Sequence, residues 1–233
     1  MDTKNVSVIS LGGSLIAPKS GINKSFLHSF QQLIRDETPK RSFCIITGGG
    51  AVCRRYQHAL DDLSDADDTA RDWMGIHVTR MHGQFVRLIL GDLAHEEVVL
   101  TPNATADAIQ EVPVVIGAAG DTPGHSSDYE AVAVAEAIGA DHLVNLSNIS
   151  HIYDADPDKN PDAKPVNKLS WSQYQDMIPG SWEPGLHIPF DPVSAEFARG
   201  CGMEVAVMSG TPIDNLRDYL NNDDFTGSLI YPE

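Results

Sequence analysis

Glycine-rich turns are the part of this sequence that is best suited to chemistry. One turn covers residues 12–14 (GGS) and a second covers residues 48–50 (GGG), and each directly follows an apolar, β-branched run. Glycine permits positive φ angles and lets a ligand approach the backbone closely. Where a helix begins after such a turn, its free N–H groups favour an anion. Glycine turns between strands and helices also serve packing alone, but the presence of two favours an anion-binding site.

A third glycine-containing segment, residues 120–128 (GDTPGHSSD), adds hydroxyl and carboxylate groups. It precedes a predicted helix, so Ser126 or Ser127 either caps that helix or contacts a phosphate. Asp128 beside them could orient donors or hold a metal ion. Arg54, one turn beyond the second glycine turn, could bind a phosphate in bidentate fashion. None of these segments is a Walker loop or a GxGxxG fingerprint, and families with those motifs are poor fits.

The charge of the chain limits its partners. Sixteen Lys and Arg side chains against thirty-three Asp and Glu give a formal net charge of −17. Such a surface repels nucleic-acid backbones, so DNA and RNA binding are disfavoured. A bound anion would have to be held mainly by backbone N–H groups, a few arginines and a divalent metal.

The composition and the N-terminal residues indicate a cytosolic protein. The first residues lack the basic start and apolar run of a signal peptide, and no stretch is apolar enough for a membrane span. The three cysteines, Cys44, Cys53 and Cys201, show no metal-ligand spacing and are interpreted as unpaired thiols.

Alternating strand and helix patterns predict an α/β fold with an open, mostly parallel sheet sandwiched between helices. Strands are predicted over residues 6–11, 43–47, 98–100, 112–116, 142–146 and 205–208, with an edge strand over 227–230. Helices are predicted over residues 25–35, 73–90, 129–138, 191–199 and 213–220. The Pro- and Asp-rich residues 154–165 form a long loop between two lobes.

Together these motifs make the chain resemble the amino-acid kinase superfamily, and within it the archaeal-type UMP kinases. The similarity covers essentially the whole chain and includes SLGGS, TGGGAVCRRY, RDWMGIHVTR, GDTPGHSSD, GADHLVNLSNISHIYDADPDKNPDAK and FDPVSAEFA. The resemblance implies a carbamate kinase-like fold in a single domain, residues 1–233. Residues 1–139 would form mainly the acceptor (UMP) lobe, and residues 140–233 mainly the ATP lobe.

The resemblance also assigns roles to individual residues. The ATP-binding positions would be Gly12, Gly13, Ser14, Gly50, Arg54, Ser147, Asn148, Tyr153 and Asp156. The UMP-binding positions would be Gly49, Asp72, Asp121, Thr122, Pro123, Gly124, His125, Ser126 and Ser127. Asp128 and Arg54 would be the catalytic residues, with Asp128 organising the phosphate-binding groups. No side chain is assigned to a metal.

The implied reaction is direct, in-line transfer of the γ-phosphoryl group of ATP to UMP, giving UDP. Mg²⁺ would enter with ATP and bridge phosphate oxygens. The implied partners are the two nucleotides and further copies of the chain, in a hexamer built as a trimer of dimers. Nucleic acid and membranes are not expected partners.

Lysine is missing from several positions where relatives carry it. The chain has Ser10, Ala51 and Asn148 at such positions, and Ser150-His151 replaces the usual Asp-Gly pair. Two alternatives therefore stay open beside an active UMP kinase. One is a catalytically weakened paralogue that binds nucleotide as a regulator or anion-storage subunit. The other is a kinase of the same fold for another small acceptor, such as isopentenyl phosphate or carbamate.

Overall fold

The apolar runs form a central sheet in the computed structural model, which describes residues 5–118, 120, 122–157, 159–181 and 188–233. The strands are β1 (Val6–Leu11), β2 (Ser42–Thr47), β3 (Val114–Ala118), β4 (His142–Ser147), β5 (Ile152–Tyr153), β6 (Pro165–Val166), β7 (Lys168–Ser170), β8 (Glu204–Ser209) and β9 (Ser228–Tyr231). Seven of them form one sheet in the order β3-β2-β1-β4-β8-β9-β7. All neighbours in this sheet are parallel except β8 and β9, and β5 pairs with β6 in a separate antiparallel hairpin.

Helices cover both faces of the sheet. They are α1 (Gly13–Ile16), α2 (Lys24–Glu37), α3 (Gly50–Leu63), α4 (Asp68–Leu90), α5 (Pro102–Ala108), α6 (Ser127–Ile138), α7 (Trp171–Gln175), α8 (Pro192–Gly200) and α9 (Asp214–Leu220). Side-chain caps define several of their ends. Ser126 accepts from the N–H of Asp128 at the start of α6, and Gly139 ends that helix in the left-handed conformation. Among the described residues, no helix combines the length and the apolar character that crossing a membrane would require.

The period-two alternation of the strands divides the core between the two faces and also positions polar groups. In β1, Val6 and Val8 pack in the layer that contains α6, whereas Ile9 and Leu11 pack on the opposite side with α2. Ser10 continues the Val6–Val8 series and is buried. It therefore lies on the α6 side, at the carboxyl end of the strand.

Most predicted elements are confirmed, but one predicted strand is absent and one predicted strand has the wrong position in the sheet. Residues 98–100 do not form a strand, because Val99 makes only an isolated bridge to Gly117. The predicted edge strand at 227–230 corresponds to β9, but β9 pairs with β8 on one side and β7 on the other, so it is not an edge. The parallel strand β7 has only three residues, too few to show a period in the sequence.

Helix α3 was expected only conditionally, as a helix that could follow the second glycine turn. Gln57 is its one buried residue, although Val52, Tyr56, Leu60 and Leu63 recur at the spacing of an amphipathic helix. The predicted long loop at 154–165 is the connection of the β5–β6 hairpin, closed where the N–H of Asp154 donates to the carbonyl O of Lys164 at 3.0 Å. Residue 158 lies outside the described residues.

Candidate active site

The two glycine turns contact each other at the carboxyl edge of the sheet. Strands β1 and β2 are in register so that Leu11 lies opposite Thr47, and both chains leave the sheet side by side. A Cβ on Gly13 would lie only 2.5 Å from the carbonyl O of Gly48, and a Cβ on Gly50 only 2.4 Å from the carbonyl C of Gly13. Gly50 also has a φ of 56°. Only glycine at both positions permits this approach of one backbone to the other.

A cleft of about 160 Å³ opens beside the joined turns. It lies beyond the carboxyl ends of β1, β2 and β4, where parallel α/β sheets bind their ligands. The helices α3 and α6 begin at its wall, which suits an anion. The lining residues are Ser10, Gly12, Gly13, Ser14, Gly48, Gly49, Gly50, Arg54, Ser126, Ser127, Asp128, Asn145, Ser147, Asn148, Ile149, Ile188, Pro189 and Asp191.

Asp128 organises the floor of the cleft. Ser10 in β1 and Asn145 in β4 lie opposite each other across the strand pair. The Ser10 hydroxyl donates to Asp128 Oδ1 at 2.7 Å, and Asn145 Nδ2 donates to the same oxygen at 2.9 Å. Asn145 Nδ2 also donates to the carbonyl O of Pro189 at 3.0 Å. One carboxylate oxygen thus ties two strands to the first turn of α6.

A second carboxylate, Asp191, joins helices α6 and α8. Its Oδ1 caps α8 by accepting from the N–H groups of Val193 and Ser194 at 2.9 and 3.1 Å. Its Oδ2 accepts from the hydroxyls of Ser126 and Ser194. Since Ser126 also caps α6 through the N–H of Asp128, the two helix starts are fixed to each other.

The surroundings of Asp128 alter its protonation. Burial, followed by the negative charge of Asp191, raises the pKa of Asp128 to about 7, although its hydrogen bonds with Ser10 and Asn145 oppose the shift. Arg54 is the one positively charged residue among those described that line the cleft. The cleft is therefore poor in lysine, as the sequence indicated.

Helix α4 contacts the segment that joins β3 to α6. Asp72 accepts through Oδ2 from the N–H of Gly124 at 2.7 Å. Arg80 Nη2 donates to the carbonyl O of Gly120 at 2.8 Å. The ring of His125 stacks on Tyr129 with centroids 4.3 Å apart. One helix thus contacts both ends of the segment between β3 and α6.

The predicted site residues fall into three groups. The cleft is lined by Gly12, Gly13, Ser14, Gly49, Gly50, Arg54, Ser126, Ser127, Asp128, Ser147 and Asn148. Asp72, Thr122, Pro123, Gly124 and His125 lie beside it or in the adjoining loop, and Asp121 lies outside the described residues. Tyr153 and Asp156 do not line the cleft; Tyr153 contacts Ser150 Oγ at 3.2 Å, and Asp156 pairs with Lys159 at 2.9 Å.

Several residues at the site are not among the predicted site residues. Ser10 and Asn145 lie within predicted strands, and Asp191 begins a predicted helix. His82 has no recognised motif around it, but its Nδ1 lies 2.8 Å from the carbonyl O of Gly48. A polar residue near the end of an otherwise apolar strand, as Asn145 is, was the one available signal.

Comparison with known proteins identifies the family of this chain. The sequence profile described as "Amino acid kinase family" matches residues 5–209. The chain belongs to the amino acid kinase family. Curated members of high similarity include the uridylate kinase of Methanospirillum hungatei, 30% identical over 224 residues, with 96% of this chain and 93% of that protein covered. The uridylate kinase of Methanocaldococcus jannaschii is 32% identical over 209 residues, with 88% and 91% covered.

Solved structures of the family show the same fold. The uridylate kinase of Archaeoglobus fulgidus superimposes with a TM-score of 0.82 at 25% identity, covering 97% of this chain and 99% of that one. The UMP kinase of Bacillus anthracis gives a TM-score of 0.81 at 19% identity, with 98% and 96% covered. The predicted fold class and the resemblance to this kinase family are thereby confirmed.

Replacing Gly50 should disturb this kinase site more than replacing Gly91. Both residues have positive φ values, 56° and 61°, so alanine introduces backbone strain on the order of 1–3 kcal/mol at either position. Only at Gly50 does the added Cβ meet another backbone, whereas the space around Gly91 is open. Calorimetric titration with ATP should show affinity roughly tenfold lower or worse for Gly50→Ala and unchanged for Gly91→Ala. Equal affinities would contradict a role for the turn contact.

The effect of Asp128→Asn on the stability of the ligand-free protein should be more favourable at high pH than at low pH. The pKa of Asp128 is raised from 3.8 to about 7, so the folded state retains a proton that the unfolded state loses. This contribution to stability is present below about pH 4, falls as the pH rises, and is lost above about pH 7. The melting temperature of Asp128→Asn minus that of the wild type should therefore increase between about pH 5 and pH 8. Parallel melting curves across this range would contradict the raised pKa.

Proposed function

We propose that this protein is a uridylate kinase that transfers the γ-phosphoryl group of ATP to UMP. The observation that carries the proposal is the convergence of two glycine turns, Arg54 and the start of α6 on one cleft. Backbone N–H groups and a guanidinium are donors suited to phosphate. Two relatives that match this chain over more than nine-tenths of their own length are named uridylate kinases.

We assign the two nucleotides to opposite ends of the cleft. The ATP phosphates would lie against Gly12, Gly13, Ser14, Gly50 and Arg54, with the adenosine toward Ser147, Asn148, Tyr153 and Asp156. UMP would lie on the other side, against Gly49, Asp72 and residues 121–127. Since Gly49 and Gly50 are consecutive, the second glycine turn would lie between donor and acceptor phosphates. The division into a mainly acceptor lobe (residues 1–139) and a mainly ATP lobe (residues 140–233) is part of the same proposal.

The chemistry requires positioning and charge neutralisation rather than an acid–base pair. In-line transfer moves a phosphoryl group between two anions, and the fixed donors of the turns need no reorganisation as charge shifts. Arg54 would contact the transferring group directly. Asp128 would act by holding Ser10 and Asn145, which line the same cleft.

The donor set of the cleft fits Mg²⁺ that is bound mainly through the nucleotide. No cluster of three or more His, Cys, Asp or Glu ligands occurs among the described residues, which argues against an all-protein metal site there. Asp128 and Asp191 nevertheless face the same cleft, and their mutual repulsion would be relieved by a divalent cation. These two carboxylates are the side chains that would hold it, directly or through water. When bound, Mg²⁺ would neutralise phosphate charge that Arg54 alone leaves uncompensated.

The assembly and location are also proposals. We infer a cytoplasmic homo-oligomer, a hexamer built as a trimer of dimers. Met81 and Leu88 on the outer side of α4 support an interface there, because their exposed fractions are 53% and 60%.

The direct test is an assay of ADP release with Mg·ATP and a panel of acceptors. The panel contains UMP, CMP, dTMP, AMP, isopentenyl phosphate and carbamate. We expect ADP with UMP and little with the others, because Asp72 and its loop would be shaped for one nucleotide. ADP with isopentenyl phosphate or carbamate instead would reassign the acceptor. If no acceptor gives ADP while ATP binding is still measurable by calorimetry, the result would favour a catalytically weakened paralogue that binds nucleotide as a regulator.

Two alanine variants on helix α4, one at the proposed UMP site and one away from it, test the assignment of the UMP-binding end. Asp72→Ala removes the acceptor of the Gly124 N–H and should raise the KM for UMP far more than that for ATP. Asp68→Ala, four residues earlier on α4, removes a carboxylate that is 71% exposed and pairs with Arg71. It should leave both KM values unchanged. Equal increases in the two KM values with Asp72→Ala would contradict the assignment of that end to UMP.

A further inference from the structure

His82 is a buried polar residue that none of the roles above explains. It lies on the face of α4 that packs on the sheet, in a series with the buried Thr79, Val86 and Leu90. Only 2% of its surface is exposed. Its Nδ1 is 2.8 Å from the carbonyl O of Gly48, the first residue of the second glycine turn.

The chemistry of this contact fixes the state of the ring. A carbonyl oxygen can only accept, so His82 Nδ1 must carry the proton. Nε2 has no hydrogen-bond partner among the described residues, and in the neutral ring it is a bare acceptor. Burial lowers the pKa of His82, although the bond to Gly48 opposes the shift, and a neutral ring agrees with that direction. His82 is therefore a neutral donor dedicated to one carbonyl.

That carbonyl controls the direction of a neighbouring N–H group. The peptide between Gly48 and Gly49 is planar, so fixing its oxygen also fixes the N–H of Gly49 on the opposite side. Three consecutive glycines have little intrinsic preference for any orientation of their peptide planes. The N–H of Gly48 is held by the carbonyl O of Leu11 at 2.9 Å, which secures the strand side of the turn but not this plane.

We propose that His82 is a positioning residue that orients the Gly48–Gly49 peptide, and so aims the Gly49 N–H at the phosphates in the cleft. The inference rests on the proposed function, because the phosphates are those of the two nucleotides. His82 contacts no substrate and acts only through the turn. Loss of its proton donor lowers kcat more than either KM, because misaligned donors chiefly affect the transferring group.

The test compares three replacements of His82. His82→Asn keeps an amide N–H close to the position of Nδ1, His82→Gln puts the amide near Nε2, and His82→Leu removes the donor. We expect kcat to fall about tenfold with Gln and Leu and less than about threefold with Asn. Both KM values should stay within about threefold. Equal losses with Asn and Gln would overturn the proposal.

Thr47→Val is the matched control for a purely structural loss. The Thr47 hydroxyl donates to the carbonyl O of Thr79 at 2.9 Å, so it also joins the end of β2 to α4 but holds no turn peptide. Valine keeps its shape. We expect a loss of melting temperature similar to that of His82→Gln, with kcat within about twofold of the wild type. A kcat that follows melting temperature across all four variants would show that His82 is merely structural.

NMR of the ligand-free protein tests the role of His82 independently of the kinase assignment. In the ligand-free protein, nitrogen NMR of the His82 ring should show the Nδ1–H tautomer, and the Gly49 amide resonance should move with His82→Leu but little with His82→Asn. The Nε2–H tautomer, or an unmoved Gly49 resonance, would overturn the positioning role. If the wild type phosphorylates no UMP while these signals appear, the kinase assignment fails and the anchoring of the turn stands.

Discussion

The close contact of two glycine turns is the constraint on which the rest of the site depends. Gly13 and Gly50 approach so closely that a Cβ on either would overlap the other turn. This contact is possible because β1 and β2 are adjacent, parallel and in register, so both strands end at the same level. It brings the start of α3 and Arg54 to the cleft that Asp128 and Asn145 border from the other side. Sheet topology thereby brings motifs that are separated in the sequence to one cleft, which we propose binds phosphates.

Charge is the second determinant of the site, and few charged side chains provide it. The chain carries a net charge of −17, and its cleft contains two carboxylates beside Arg54. The pKa of Asp128 is raised to about 7 because its carboxylate is buried and lies near the negative charge of Asp191. Backbone N–H groups supply the favourable field without adding mobile side chains. We propose that this site binds phosphate mainly through the fixed positions of its donors, a role in which the contacts from α4 and α8 would hold those donors in place.

The sequence predicted the fold and the glycine-rich part of the site because these leave local signals. Apolar β-branched runs mark β1, β2, β4 and β8, and glycine clusters mark the carboxyl ends of β1 and β2. Helix α3 does carry an apolar pattern at helical spacing, but Gln57 is its one buried residue, so that pattern does not mark a core-facing side. Asp191, Asn145 and His82 were missed as site residues because each acts through a partner distant in sequence. Hydrogen bonds between elements depend on register and packing, which no local pattern records.

The central claim is that one cleft holds ATP and UMP with their phosphates facing each other across the second glycine turn. The most direct measurement is inhibition by a bisubstrate analogue in which adenosine and uridine are linked through their 5′ positions by a chain of phosphates. The account predicts that this compound competes with both ATP and UMP and binds more tightly than either nucleotide, because one molecule fills both ends of the cleft. Competition with only one nucleotide, or affinity no better than that of ATP, would contradict it.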